Sequence, residues 1–165
     1  MTPLGGVRVL AAEQMQALPY ATQLLTRLGA DVVKVEHPVH GESGRGAHPA
    51  MADPWGRPVG ATFLRNNLGK RAVGIDLKTD EGRELFLDLV PRFDVVAENF
   101  KAGTMDRLGL SYDVVSARHP GVIYVSVTGF GNQHPVDGAV SPYRDWPAYA
   151  SVVEAMSGVY DWARR

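Results

Sequence analysis

The segment Asp94-Val95-Val96-Ala97-Glu98-Asn99-Phe100-Lys101 starts as an apolar strand and ends in an acid, an amide, an aromatic ring and a base. Asn99 can donate and accept hydrogen bonds, Phe100 can stack on a flat ring, and Lys101 can meet a phosphate. Arg107 follows on what reads as a one-turn helix. This set suits a nucleotide carrying phosphates. It equally describes a strand end that has reached water with its charges solvated, and the residue types leave both readings open. The loop Ala12-Glu13-Gln14-Met15-Gln16-Ala17 contains no glycine, so it lacks the turn by which dinucleotide-binding folds bring backbone against a pyrophosphate. No Walker A pattern is present. His37, His40, His48, His119 and His134 include no pair at metal-ligand spacing on an expected helix, so no metal is expected. Ser126 and Ser151 stand without a base or a nucleophile-elbow motif. There are no cysteines, which removes disulfides, thiolate zinc sites and a Cys nucleophile.

The elements that must position these residues alternate. Val7 to Ala11 is a short apolar run behind Gly5-Gly6 and reads as the first strand. Ala17, Leu18, Ala21, Leu24, Leu25 and Leu28 fall at helical spacing, with Pro19 in the first turn and Gly29 at the C-cap. Asp31 to Glu36 is the second strand, completing a βαβ unit with parallel strands. His37 to Val59 is rich in Pro, Gly and His and reads as a long irregular excursion. Ala61 to Asn67 is expected as a short helix and Arg71 to Leu77 as the third strand. Thr79 caps a helix whose apolar face is Leu85, Phe86, Leu89 and Val90, ended by Pro91. Asp94 to Ala97 is the fourth strand, Ser111 to Arg118 a short helix, and Val122 to Val127 the fifth strand. A last helix is expected over Tyr149 to Met156, stopping at Gly158. Strands alternating with helices predict an α/β fold, a parallel sheet with flanking helices, which binds ligands beyond the carboxyl ends of its strands.

The 165 residues suffice for one domain with a core. Hydrophobic residues are 45% and charged residues 21%, a globular profile, and the net charge is -1 without a basic run, which argues against nucleic-acid partners and membrane surfaces. No signal-peptide pattern opens the sequence, and no apolar segment approaches the ~20 residues that span a bilayer. A cytoplasmic location is expected.

Six segments in order, PLGGVRVL, LGADVVKVE, NLGKRAVGIDLKTDEG, DVVAENFKAGTMDRLGL, HPGVIYVSVTGFG and EAMSG, make the chain resemble the N-terminal part of the family III CoA-transferases, the CaiB/BaiF group. That group includes the formyl-CoA:oxalate and carnitine CoA-transferases and, more distantly, α-methylacyl-CoA racemase. The resemblance implies a Rossmann-like large domain that binds coenzyme A, a smaller domain inserted later, and an interlocked homodimer. It implies transfer of CoA between an acyl-CoA and a carboxylic acid through an Asp nucleophile, with no metal or redox cofactor. By motif, Gln16 and Ala17 would lie near the thiol end of pantetheine and His37 near the nucleotide phosphates. Ile75, Asp76, Leu77 and Lys78 would frame adenine and ribose. Asn99, Phe100 and Lys101 would contact the nucleotide, and Arg107 would hold a phosphate through its planar fork.

The departures carry expectations of their own. Leu18 replaces a family glycine and adds a side chain where pantetheine would pass. His134-Pro135 stands for a Gly-Pro, and Ala150 and Glu154 for a common Asp and Gln. The racemase branch needs a histidine before that Asp. This chain has Tyr149, which disfavours racemase chemistry. The nucleophilic Asp of the family lies in a Gly-rich segment well beyond the pair matching Ser157-Gly158. On this resemblance residues 1–165 are the N-terminal segment of the CoA-binding domain, an incomplete sheet without nucleophile, inserted domain or C-terminal part. A fragment, or a non-catalytic subunit that joins a complementary chain, is the alternative to a complete transferase. Exposed apolar surface on the incomplete sheet would mark it.

Overall fold

The computed structural model describes residues 2–132 and 138–162. His134 and Pro135 lie outside the described residues. The chain divides into two compact units, Met1–Phe100 with Met105–Val127, and Lys101–Thr104 with Thr128–Arg165.

The first unit is built on a five-stranded sheet of β1 (Arg8–Ala12), β2 (Asp31–Glu36), β5 (Arg71–Gly74), β6 (Val95–Glu98) and β7 (Ile123–Ser126). All neighbours pair in parallel, in the order β5-β2-β1-β6-β7. The order reverses between β1 and β6, the switch point at which doubly wound sheets open a crevice for ligands. Both faces of the central strands are covered, as a parallel sheet requires. Leu10, Ala12 and Val96 face one core with Phe86, Val90 and Val115, from α3 (Asp80–Leu89), the turn that follows it and α5 (Tyr112–Arg118). Val9, Ala11, Val32 and Ala97 face a second core with Leu18 of α1 (Ala17–Arg27). At β7 this second face is bare: Ile123 is 59% exposed and Val125 is exposed beside it.

Local chemistry explains most boundaries. α1 ends at Arg27 with Leu28 as its C-cap, and Gly29 follows at φ +105°, a left-handed turn that glycine makes without steric cost. The Thr79 hydroxyl accepts the Gly82 N–H at 3.0 Å, capping α3, whose first turn carries Asp80 and Glu81. Ser111 caps α5 in the same way. The short helix α2 spans Ala61–Asn67, as its sequence predicts.

Four expectations change. The excursion after β2 is not wholly irregular: it holds a 3-10 turn, Ser43–Gly46, and an antiparallel hairpin of β3 (Ala50–Ala52) and β4 (Pro58–Gly60). The third strand stops at Gly74 rather than Leu77, because the Asp76 carboxylate accepts the Lys78 N–H at 3.0 Å and turns the chain into α3. Phe86 and Leu87 of α3 and Val90 in the turn after it are buried, and Leu85 is exposed. The helix has more apolar residues than one face can hold, and Gly82 decides the rotation, since it packs against the Asp76 carbonyl where a Cβ has no room. Glu98 belongs to the strand end of β6, not to the loop.

The second unit contains α6 (Ala150–Met156) and, past Gly158 at φ +81°, a further turn α7 (Val159–Trp162). Its helices bury no residue among those described, but its aromatic rings meet: Tyr143 lies 5.8 Å from Phe130 and 4.9 Å from Trp146.

Candidate functional site

The loops at the carboxyl ends of β1 and β6 face each other across the switch point. The Asn99 side chain joins them: its Oδ1 accepts the Gln14 N–H at 2.7 Å and its Nδ2 donates to the Gln14 carbonyl at 2.9 Å. Both polar atoms of the amide are thereby engaged on one residue of the opposite loop. What Asn99 offers a ligand is chiefly the position of that loop. Leu18, expected to add a side chain to the pantetheine path, is 4% exposed and packs into the second core, so its side chain does not stand in the crevice. Gln16 stands exposed at the N-cap position of α1 without a side-chain cap hydrogen bond, and Ala17, also exposed, opens the helix. Phe100 packs one side against the main core and keeps partial exposure. Glu98 fixes the turn beneath it, its Oε2 accepting the Phe100 N–H at 2.8 Å while Oε1 accepts the Ser126 hydroxyl. Burial pushes the Glu98 carboxyl above the usual range, more than these two hydrogen bonds pull it down, and Asp106 adds repulsion. Lys101 is exposed and opens the second unit, where its carbonyl accepts the Thr104 N–H at 3.0 Å. Arg107 is exposed at the end of α4 (Thr104–Arg107), the one-turn helix expected there.

The loops after β2 and β5 form a second cluster. His37 Nδ1 accepts the Val39 and His40 N–H groups at 3.1 and 3.2 Å, and its Nε2 lies 3.7 Å from Asp76 Oδ2. The His37 and His40 rings stack at 4.8 Å. A pocket of about 320 Å³ opens here, walled by Glu36 to Gly41, Arg45 and Ala72 to Gly74. Glu36 sits where dinucleotide-binding sheets place the acid that receives ribose hydroxyls. It is already taken. Arg45 grips both its oxygens, Nε to Oε2 at 2.6 Å and Nη2 to Oε1 at 2.8 Å, and the Glu42 N–H adds a third bond at 3.2 Å. The Glu36 hydrogen bond holds the Arg45 guanidinium more firmly protonated than usual. At this end of the site Glu36 is therefore a paired acid, while Asp76 stays half-exposed beside His37. Ile75 and Leu77 send their side chains into the main core, so they can meet a ligand only through backbone. Lys78 is exposed beside them.

Thus the structure brings Gln14 to Asn99 and His37 to Asp76. It also reveals charged residues that sequence reasoning passed over. Lys34 and Lys70 are buried, with side chains 1% and 2% exposed. Lys70 Nζ pairs with Glu13 Oε1 at 2.5 Å and Lys34 Nζ with Glu42 Oε2 at 3.2 Å. Both ammonium groups donate to Asn67 Oδ1, at 3.0 and 3.1 Å, and Thr22 donates to Glu13 Oε2 at 2.7 Å. Desolvation pushes the Lys70 pKa down despite Glu13. A signal existed: Lys34 interrupts the run Val32-Val33-Lys34-Val35 in a strand covered on both faces. Among the described residues no three His, Asp or Glu side chains group so as to hold a metal ion, and no helix is long and apolar enough to cross a membrane.

Comparison with known proteins follows the same lines. Residues 4–164 match CoA-transferase family III. The chain is 42% identical over 161 residues to the succinyl-CoA:mesaconate CoA-transferase of Haloarcula hispanica, covering 98% of this chain and 40% of that one. It is 38% identical over 157 residues to the succinyl-CoA–L-malate CoA-transferase beta subunit of Chloroflexus aurantiacus, covering 95% of this chain and 36% of that one. A CaiB/BaiF family protein from Brucella suis superposes with a TM-score of 0.86 at 40% identity, over 97% of this chain and 40% of the other. The chain thus spans well under half the length of the relatives it matches. With its parallel sheet and ordered motifs, it belongs to CoA-transferase family III.

Proposed function

We propose that residues 1–165 form the N-terminal, CoA-binding segment of a CoA-transferase that moves CoA between an acyl-CoA and a carboxylic acid. The observation that carries the reading is the pairing at the strand ends. The β1 and β6 loops are locked together at the switch point, and the acid after β2 is neutralised by Arg45. A free acid there would repel the phosphate on the ribose of CoA. A guanidinium-bound one has its charge offset, with His37 and His40 beside it. In this reading Gln16 and Ala17 border the pantetheine end, Asp76 and Lys78 the ribose, and Phe100, Lys101 and Arg107 the nucleotide.

The covalent step would be attack of an aspartate carboxylate on the thioester carbonyl, with CoA leaving as thiolate and an anhydride forming. Neither Asp145 nor Asp161 stands in the motif of the family nucleophile, so the reading assigns binding to this segment and the covalent step to residues it does not contain. The two CoA-transferases named above carry succinyl-CoA with mesaconate or L-malate in their names, and a short-chain carboxylic acid is the corresponding acceptor class proposed here. Isotope exchange between an acyl-CoA and its free acid tests the division of labour. The 165-residue chain should give none. Exchange at an ordinary enzymatic rate would place a nucleophile within it.

A second reading, assembly with a complementary polypeptide, is favoured by one observation: β7 presents exposed Ile123 and Val125 on a face that the central strands bury.

A further inference from the structure

Met15 has φ +62°, the one non-glycine residue with positive φ among those described. An unbranched side chain gains nothing from that conformation, so surrounding contacts must impose it. They come from two distant elements. The Met15 N–H donates to Glu42 Oε2 at 2.8 Å, and the Met15 carbonyl accepts from Asn66 Nδ2 at 3.1 Å. Glu42 lies in the excursion after β2 and Asn66 on α2, and their side chains are buried. The preceding residue is held as completely, since Asn99 takes both polar groups of the Gln14 backbone. Four consecutive backbone polar groups of the β1–α1 loop are thus satisfied by three side chains far away in sequence.

The clamp residues are themselves anchored. Glu42 Oε2 also receives Lys34 Nζ, and Gly44 leaves the space that Glu42 Oε1 occupies, where a Cβ would collide with it. Glu42 Oε1 and Asn66 Oδ1 are buried with no protein donor. A fold that only needed to bury these positions would do better with apolar residues. The Asn66 amide is accounted for by its bond to the Met15 carbonyl, while the Glu42 carboxylate serves two groups at once, the Lys34 ammonium and the Met15 N–H.

We infer that Glu42 and Asn66 are positioning residues that clamp the Met15 peptide in the left-handed conformation, and thereby aim Gln16 and the first turn of α1 at the pantetheine end of CoA. The ligand half of this inference rests on the CoA reading above; the clamp itself does not. Preorganisation of this kind reduces the ordering cost when the ligand arrives.

The test uses the whole 165-residue chain with Asn66→Ala. Asn66→Ala removes the bond to the Met15 carbonyl without stranding a charge, so the fold should persist. Backbone chemical shifts of Met15, which report φ, and its amide exchange are followed by NMR. Affinity for CoA is followed by calorimetry. Asn66→Ala should move the Met15 shifts away from left-handed values, speed exchange at Met15 and weaken CoA binding about tenfold, the scale of one lost buried hydrogen bond. Unchanged Met15 shifts and exchange in Asn66→Ala would overturn the clamp. Altered Met15 signals with unchanged CoA affinity would overturn its positioning role. A wild type that binds no CoA, while Met15 still responds to Asn66→Ala, would overturn the CoA reading and leave the clamp standing.

Discussion

Glu13 and Lys70 form an enclosed ion pair in the first unit, with side chains 0% and 2% exposed. Such a pair is costly to desolvate and costlier to break, because one partner is left charged without a counterion. Glu13→Ala should lower stability by about 3–5 kcal/mol, measured by urea denaturation. Glu13→Leu combined with Lys70→Met should cost clearly less than either single change. Equal or additive losses would show that the charges do not depend on each other. Glu98 makes a different prediction. Its pKa is raised in the folded chain, so between the unfolded and folded values the native state holds the extra proton. Stability should therefore fall as pH rises through that window above the ordinary carboxylate range, and the slope should vanish in Glu98→Gln. A wild type and a variant with parallel pH profiles would remove Glu98 as the cause. The buried charges had weak signals in the sequence because their partners meet only in space. Glu13 and Lys70 are 57 positions apart, and Met15 and Glu42 are 27 apart.

Elements bounded by local chemistry were legible where periodicity, a cap and a turn residue agreed. β2 and α2 fall on their expected residues, and Thr79 caps α3 as expected. Thr79→Ala should cost about 1 kcal/mol, while Thr79→Ser should recover most of it, again by denaturation. An Ala variant as stable as wild type would reduce the cap to a bystander. The hairpin of β3 and β4 escaped notice because its three-residue strands, Ala50–Ala52 and Pro58–Gly60, are too short and too poor in β-branched residues to alternate visibly. The site shows the same division. The carboxyl-end loops could be located from strand order alone. That Asn99 serves the neighbouring loop, that Arg45 occupies Glu36, and that Ile75 and Leu77 turn inward are tertiary facts, set by which face of the sheet each residue meets.

At the scale of the whole molecule, the central strands are covered on both faces while β7 is not. An edge strand with Ile123 and Val125 exposed is a template for association. Wild type should self-associate with rising concentration in sedimentation velocity, and Ile123→Lys with Val125→Lys should suppress it. A monodisperse wild type at all concentrations would show that this face needs no cover. The central claim is that this chain of CoA-transferase family III holds coenzyme A at the carboxyl ends of its strands. Calorimetric titration of the folded 165-residue chain tests it most directly, with CoA and NAD as ligands and Arg107→Ala as the variant. The account predicts saturable CoA binding, weakened about tenfold or more by loss of the guanidinium, and no binding of NAD, whose ribose would find Glu36 occupied by Arg45. A folded chain that takes up no CoA, or that binds NAD as tightly as CoA, would contradict it.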